Sequence, residues 1–143
     1  MKKLMVVLIT ILFLIGSPAV AIDWTVANEK SVVWDAVTTL SDDSIIPAGD
    51  KVEYELFLVS YKSTDRDADK TSMGITELLE FTYSFVAEGR YLAGIRAIRT
   101  PENLPDEKSY SEIVWSDSAT DVPIPFGFIY LLKPGKVGTF KPK

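Results

Sequence analysis

Asp65-Arg66-Asp67-Ala68-Asp69 places three carboxylates at alternate positions of one charged stretch. Alternating carboxylates in a loop can converge on calcium, which takes six to eight oxygen ligands. Compared with a helix-loop-helix calcium site, Lys70 stands where a glycine makes the turn, and Thr76 stands at the twelfth position where a bidentate glutamate belongs. Lys62, Arg66 and Lys70 are interleaved with the acids, so the stretch reads as a solvated loop and no metal is assigned. Ser60, Ser63 and Thr64 are candidate hydroxyl nucleophiles, but the chain has neither histidine nor cysteine to activate or replace them. That removes Ser-His-Asp triads, histidine zinc sites and thiolate chemistry. Asp42 and Asp43 are a carboxylate pair, yet adjacent residues on a turn do not face each other across a sugar as glycosidase carboxylates do. The expectation is a folded domain with no enzyme activity, no catalytic residue and no cofactor.

The elements that hold these residues begin after an export segment. Met1-Lys2-Lys3 is followed by Leu4 to Ile15 with only Thr10 polar, then by Gly16-Ser17-Pro18-Ala19-Val20-Ala21. A short positive end, an apolar run and an Ala-x-Ala ending are the parts of a secretory signal peptide. As a helix, Leu4 to Ile15 would span about 18 Å against a hydrocarbon core of about 30 Å, too short for a membrane anchor. Cleavage after Ala21 predicts a secreted or periplasmic protein with no stable anchor. The mature chain keeps 13 basic and 20 acidic residues, a net charge of −7. So acidic a chain is a poor partner for nucleic acid. Without disulfides, its fold must rest on its core alone.

Short alternating or apolar runs separated by turn-forming clusters predict an all-β fold, a two-sheet antiparallel sandwich. The expected strands are 25–27, 31–36, 52–61, 71–78, 81–86, 90–99 and 111–116, with a further apolar strand in 126–132. Thr76-Glu77-Leu78-Leu79-Glu80 fits a helical turn as well as a strand end. Tyr91, Ala93, Ile95 and Ala97 share one face of the 90–99 strand, as Val52, Tyr54, Leu56 and Leu58 share one face of 52–61. The expected organisation is a signal peptide over 1–21, a sandwich over 22–123, and a C-terminal strand with a basic tail over 124–143.

Ser31-Val32-Val33-Trp34-Asp35 resembles the second strand of a fibronectin type III domain, with Trp34 as its central core residue. Tyr54-Glu55-Leu56-Phe57-Leu58 resembles the family's third strand. Phe85 to Tyr91 resembles its corner, where a tyrosine hydroxyl bonds back to the backbone. Tyr91-Leu92-Ala93-Gly94-Ile95-Arg96-Ala97 is similar to the Tyr-x-x-x-Val-x-Ala strand, and Ser109-Tyr110-Ser111-Glu112 to the lead-in of the last strand. The resemblance covers about residues 24 to 118. It departs from the pattern at Ala87-Glu88-Gly89, where a proline is usual, and in the long charged connection after the third strand. It implies a non-catalytic fibronectin type III-like domain, immunoglobulin-like in architecture, with Trp34, Tyr54, Leu56, Tyr91 and Ile95 in its core.

If Tyr54 and Tyr91 point inward, Phe57, Val59, Tyr61, Leu92 and Ile98 point outward around Arg96. A contiguous apolar patch of this kind marks a contact surface. Phe126, Phe128 and Tyr130, in the C-terminal strand, either cover that patch or meet a neighbour. The expected partner is another protein or a second copy of the chain, met at or outside the cell envelope. The loops 40–51, 62–70 and 101–108 are further places for a ligand. Two other readings stand beside this one. The chain can be a subunit of an extracellular or virion-like assembly joined through its C-terminal strand, or a carbohydrate-contacting module using Trp24, Tyr110 and Trp115.

Overall fold

The computed structural model describes residues 21–26, 28–118 and 121–134; the apolar N-terminal segment and most of the basic tail lie outside them. The elements follow in the order β1 (Asp23–Val26), β2 (Glu29–Val33), β3 (Lys51–Ser60), α1 (Arg66–Asp69), β4 (Thr71–Thr76), β5 (Glu80–Ser84), β6 (Gly89–Thr100), β7 (Ser109–Tyr110), β8 (Val114–Trp115) and β9 (Phe126–Tyr130). The architecture is all-β and sandwich-like.

The two strands with the strongest alternation form the spine. β3 and β6 pair antiparallel without a break from Lys51 opposite Thr100 to Ser60 opposite Tyr91. The larger sheet runs β1-β9-β6-β3-β4, with β7 and β8 on the same edge of β6 as β9. It is a mixed sheet, because β1 lies parallel to β9. β2 and β5 form a separate two-stranded antiparallel sheet. β4 carries a bulge opposite Leu56 and Phe57, next to Gly74 at φ 143°, a backbone region that glycine adopts without cost. The 77–79 stretch bends rather than coiling, and the only described helix is the single turn α1 inside the expected 62–70 loop.

The end of the chain departs most from expectation. β7, β8 and β9 lie opposite Ile98–Arg99, Gly94–Ile95 and Gly89–Tyr91, so they form one interrupted strand along β6. Between β8 and β9 the described residues 117–118 and 121–125 lie outside the strands. Ser116 closes the gap. Its N–H donates to the Ala93 carbonyl at 2.8 Å and its carbonyl accepts from the Phe126 N–H at 2.8 Å. Its hydroxyl accepts from the Ala93 N–H at 3.1 Å and donates to the Phe126 carbonyl at 2.7 Å. The boundary expected at Pro123 therefore has no counterpart in the sheet, since β9 sits between β6 and β1. Ser116 is 4% exposed. Ser116→Ala leaves a buried Ala93 N–H without that acceptor, and we expect a loss of about 1–2 kcal/mol in urea unfolding.

Between the sheets, Tyr54, Leu56, Tyr83, Phe85, Ala93 and Phe128 make the buried cluster. Aromatic rings dominate it: Tyr83 lies 5.7 Å and Phe85 5.4 Å from the Phe128 ring centre. Of the expected core, Tyr54 and Leu56 are buried, while Tyr91 and Ile95 are partly buried against the cluster. The Tyr91 hydroxyl donates to the Ala87 carbonyl at 2.7 Å, which ties the β5–β6 turn to the sheet. Trp34 stands with Tyr91 and Ile95, partly buried against the cluster, and meets Tyr54 edge-on at 5.4 Å.

Candidate binding cleft

The outward patch expected around Arg96 is largely covered, with Tyr61 alone of its apolar members exposed. Phe57 and Val59 are each 2% exposed, Leu92 0% and Phe128 1%, so none of them offers a free contact surface. Phe126 and Tyr130 are partly buried and pack against the core with Phe128, on the inner face. Two indoles lie on the outer face instead. Trp115 lies over Gly94, and Trp24 lies over Gly127, its partner in the β1–β9 register. Trp24 also meets Tyr61 edge-on at 5.0 Å and has the Arg90 guanidinium 5.1 Å from its ring centre. Arg96 donates to Glu55 at 2.9 and 2.7 Å and lies 4.5 Å from the centre of the Tyr110 ring and 5.2 Å from that of Phe57. Sequence reasoning assigned the faces correctly by alternation but had no signal that tryptophans from distant strands would cover one of them.

Those two glycines are spaces for rings. A Cβ at Gly94 would stand 2.7 Å from Trp115, and one at Gly127 2.7 Å from Trp24. Gly94→Ala and Gly127→Ala should each cost about 1–2 kcal/mol through overpacking. Thermal unfolding of each single variant measures this.

The acidic stretch that suggested calcium is organised internally. Asp65 caps α1 by accepting from the Ala68 N–H at 3.1 Å, Asp69 accepts from the Ser63 hydroxyl at 2.8 Å, and Asp67 meets Lys70. Arg66 turns away from these acids to form a two-point bond with Asp117 at 2.8 and 2.6 Å. Among the described residues no three acidic side chains come together as a metal site.

The feature able to take a ligand lies at the open side of the small sheet. Two strands, β2 and β5, face a sheet whose main run has five, and β2 pairs with β5 alone among the described residues. The Trp34 N–H bonds to the Leu79 carbonyl and the Phe85 N–H to the Asn28 carbonyl. In an antiparallel pair these bonds fall on every second residue. The backbone groups of Glu29, Ser31 and Val33 therefore point away from β5, toward the unpaired edge. The 2.7 Å contact between the Ser31 and Thr82 hydroxyls agrees, because side chains approach most closely at non-hydrogen-bonded pairs.

Beneath that edge is a cavity of about 360 Å³. One wall is Val32 to Asp35, and the floor includes Leu56, Ala93 and Ile95. The far wall is Val114, Ser116 and Phe126 together with Asp121 to Pro123. It is mostly apolar, and the buried indole N–H of Trp34 has no acceptor there among the described residues. Tyr83 also lines it, and burial pushes its phenol well above the usual range. A second hollow of about 640 Å³ lies between the 37–46 loop and Tyr110, beside the two-residue strand β7, too short to template an added strand. An unpaired backbone row beside an apolar cavity can accept an extended peptide, with main-chain bonds along β2 and one side chain below.

No family model, curated protein or solved structure matches the chain.

Proposed function

We propose that the chain is an exported, non-catalytic binding module of fibronectin type III type, which takes an extended segment of a protein partner onto the open edge of β2. The observation that carries this reading is the unpaired edge of Glu29, Ser31 and Val33 above the cavity that Trp34 lines. The ordered motifs from Ser31 to Glu112, together with the Tyr91–Ala87 bond at the strand turn, support the family resemblance. The apolar N-terminal segment ending Ala19-Val20-Ala21 supports a secreted or periplasmic location. No helix among the described residues is long and apolar enough to cross a membrane.

Two observations favour this reading over assembly through β9 and over a sugar site on Trp24 and Trp115. β9 has both edges paired, with β6 and with β1, so it has none to share with a neighbour. Trp24 and Trp115 are engaged by glycine backbones and arginines rather than lying flat and free for a sugar.

Val33→Pro tests the edge. Proline removes an N–H that points away from β5, a position where edge strands tolerate it. On an array of extended peptides with alternating apolar residues, the parent chain should bind a subset, with the Ser31 and Val33 amides becoming protected from hydrogen exchange. The Val33→Pro variant should keep its unfolding temperature within a few degrees and lose that binding. Equal binding by the variant, or no protected amide in the parent, would sink the proposal.

A further inference from the structure

The sequence itself offers a source for a strand on the open edge of β2. The charge of the chain is divided sharply. Residues 22–132 carry 9 basic and 20 acidic side chains, whereas 133–143 carry 4 lysines and no acid. A segment of that sign is drawn to a body of the opposite sign, and Asp35 and Asp121 stand at the cavity. In extended form, Lys136, Gly138 and Phe140 share one side and Val137, Thr139 and Lys141 the other, so the segment carries one aromatic ring for an apolar cavity.

Topology decides whose edge it reaches. β9 runs away from the cavity, from Phe126 at its wall to Tyr130 opposite Gly89, and Leu132 donates to Glu88 at the β5–β6 turn. The tail therefore departs at the end of the sandwich opposite the cavity mouth. At that same end β1, the outermost strand of its sheet, leads into β2 through two residues. To add outside its own β2, a tail coming from β9, which lies inside β1, would have to cross the β1–β2 connection. Connections at one end of a sheet do not cross in this way. A second molecule has no such obstacle.

We infer that the segment 135–143 of one copy adds as a strand to β2 of the next, a head-to-tail contact in which each molecule gives its tail at one end and receives at the other. This rests on the strand-accepting reading above and names its partner. A contact of this heterologous kind builds a ring where its rotation closes and an open chain of molecules where it does not.

Sedimentation equilibrium of the mature chain, a chain ending at Pro134 and full-length Val33→Pro provides the test. The mature chain should associate with rising concentration, more weakly at high salt, while the other two remain monomers with unchanged unfolding temperatures. An equimolar mixture of the two monomers should form a one-to-one dimer and nothing larger, because only one tail and one open edge remain. A labelled peptide of residues 133–143 should bind the chain ending at Pro134 and lose at least tenfold in affinity against the same truncated chain carrying Val33→Pro. A monomeric mature chain, association that survives removal of the tail, or Ser31 and Val33 amides protected by the chain's own tail in the monomer would each overturn the inference. If the tail peptide fails while unrelated array peptides still protect those amides, only the choice of partner falls and the strand-accepting edge stands.

Discussion

A chain ending at Pro123 should fail to fold. The cut removes β9, which pairs with β6 over Gly89–Tyr91 and gives β1 its only strand partner among the described residues. It also removes Phe128, 1% exposed and in contact with the rings of Tyr83, Phe85 and Phe126. Phe128→Ala alone should cost about 3–5 kcal/mol, the usual range for an aromatic core truncation and a large share of the 5–15 kcal/mol that holds a domain together. Losing the whole strand exceeds that margin. Circular dichroism of the truncated chain should show no cooperative melt, and Phe128→Ala should melt cooperatively at a much lower temperature. A cooperative melt near that of the parent would mean that β9 is an accessory, and the pairing described above would not carry the fold. The chain ending at Pro134 keeps β9 and should melt as the parent does, so the two truncations separate the fold from the tail.

Strand existence was legible wherever alternation was long. The stretches 52–61 and 90–99 became β3 and β6 with boundaries within a residue or so, because their apolar faces have only one direction in which to be buried. The last strand was not legible as one element. Its pieces, β7, β8 and β9, are too short for a period, and the sequence between β8 and β9 reads as the end of a domain. Ser116 bonds to both Ala93 and Phe126 and so joins those two pieces, and a lone serine carries no such signal in a sequence. The buried cluster takes Tyr83, Phe85 and Phe128, the last from beyond the expected domain end, with Trp34 packed against it and partly buried.

The candidate site was less legible still. Sequence reasoning sought exposed apolar side chains and found them at Phe57, Val59 and Leu92, which the structure covers. The open edge of β2 is a property of pairing: Glu29, Ser31 and Val33 look like any exposed face until the strand order shows that no described strand but β5 pairs with β2. Composition did separate the acidic body from the lysine tail, and those two facts become a mechanism only once the edge, the cavity and the chain's exit are placed on one molecule.

Tyr83 should make the protein lose stability in alkali. Its side chain is fully buried, and its hydroxyl reaches only the Gly94 carbonyl at 3.3 Å, which cannot stabilise a phenolate. Desolvation therefore raises its pKa well above the ordinary phenol value. In the unfolded chain the phenol ionises near pH 10, whereas in the folded chain it keeps its proton to higher pH. Above about pH 10 the unfolded state thus binds fewer protons than the native state, and stability falls as pH rises by about 1.4 kcal/mol per pH unit for this group. Below pH 10 both states hold the proton and the group contributes no slope. Tyr83→Phe removes the ionisation and keeps the ring that packs against Phe81 and Phe128. The variant should match the parent within about 1 kcal/mol at pH 8, since only one long hydrogen bond is lost. By pH 12 the difference should have moved about 2–3 kcal/mol in the variant's favour. Urea unfolding of both chains across this range would show it, and parallel curves would mean that Tyr83 is wetted through the neighbouring cavity. The same experiment with a bound peptide probes the cleft. Because Tyr83 keeps its proton in the free folded chain and in the complex alike over this range, peptide binding should carry no slope from this group while folding does.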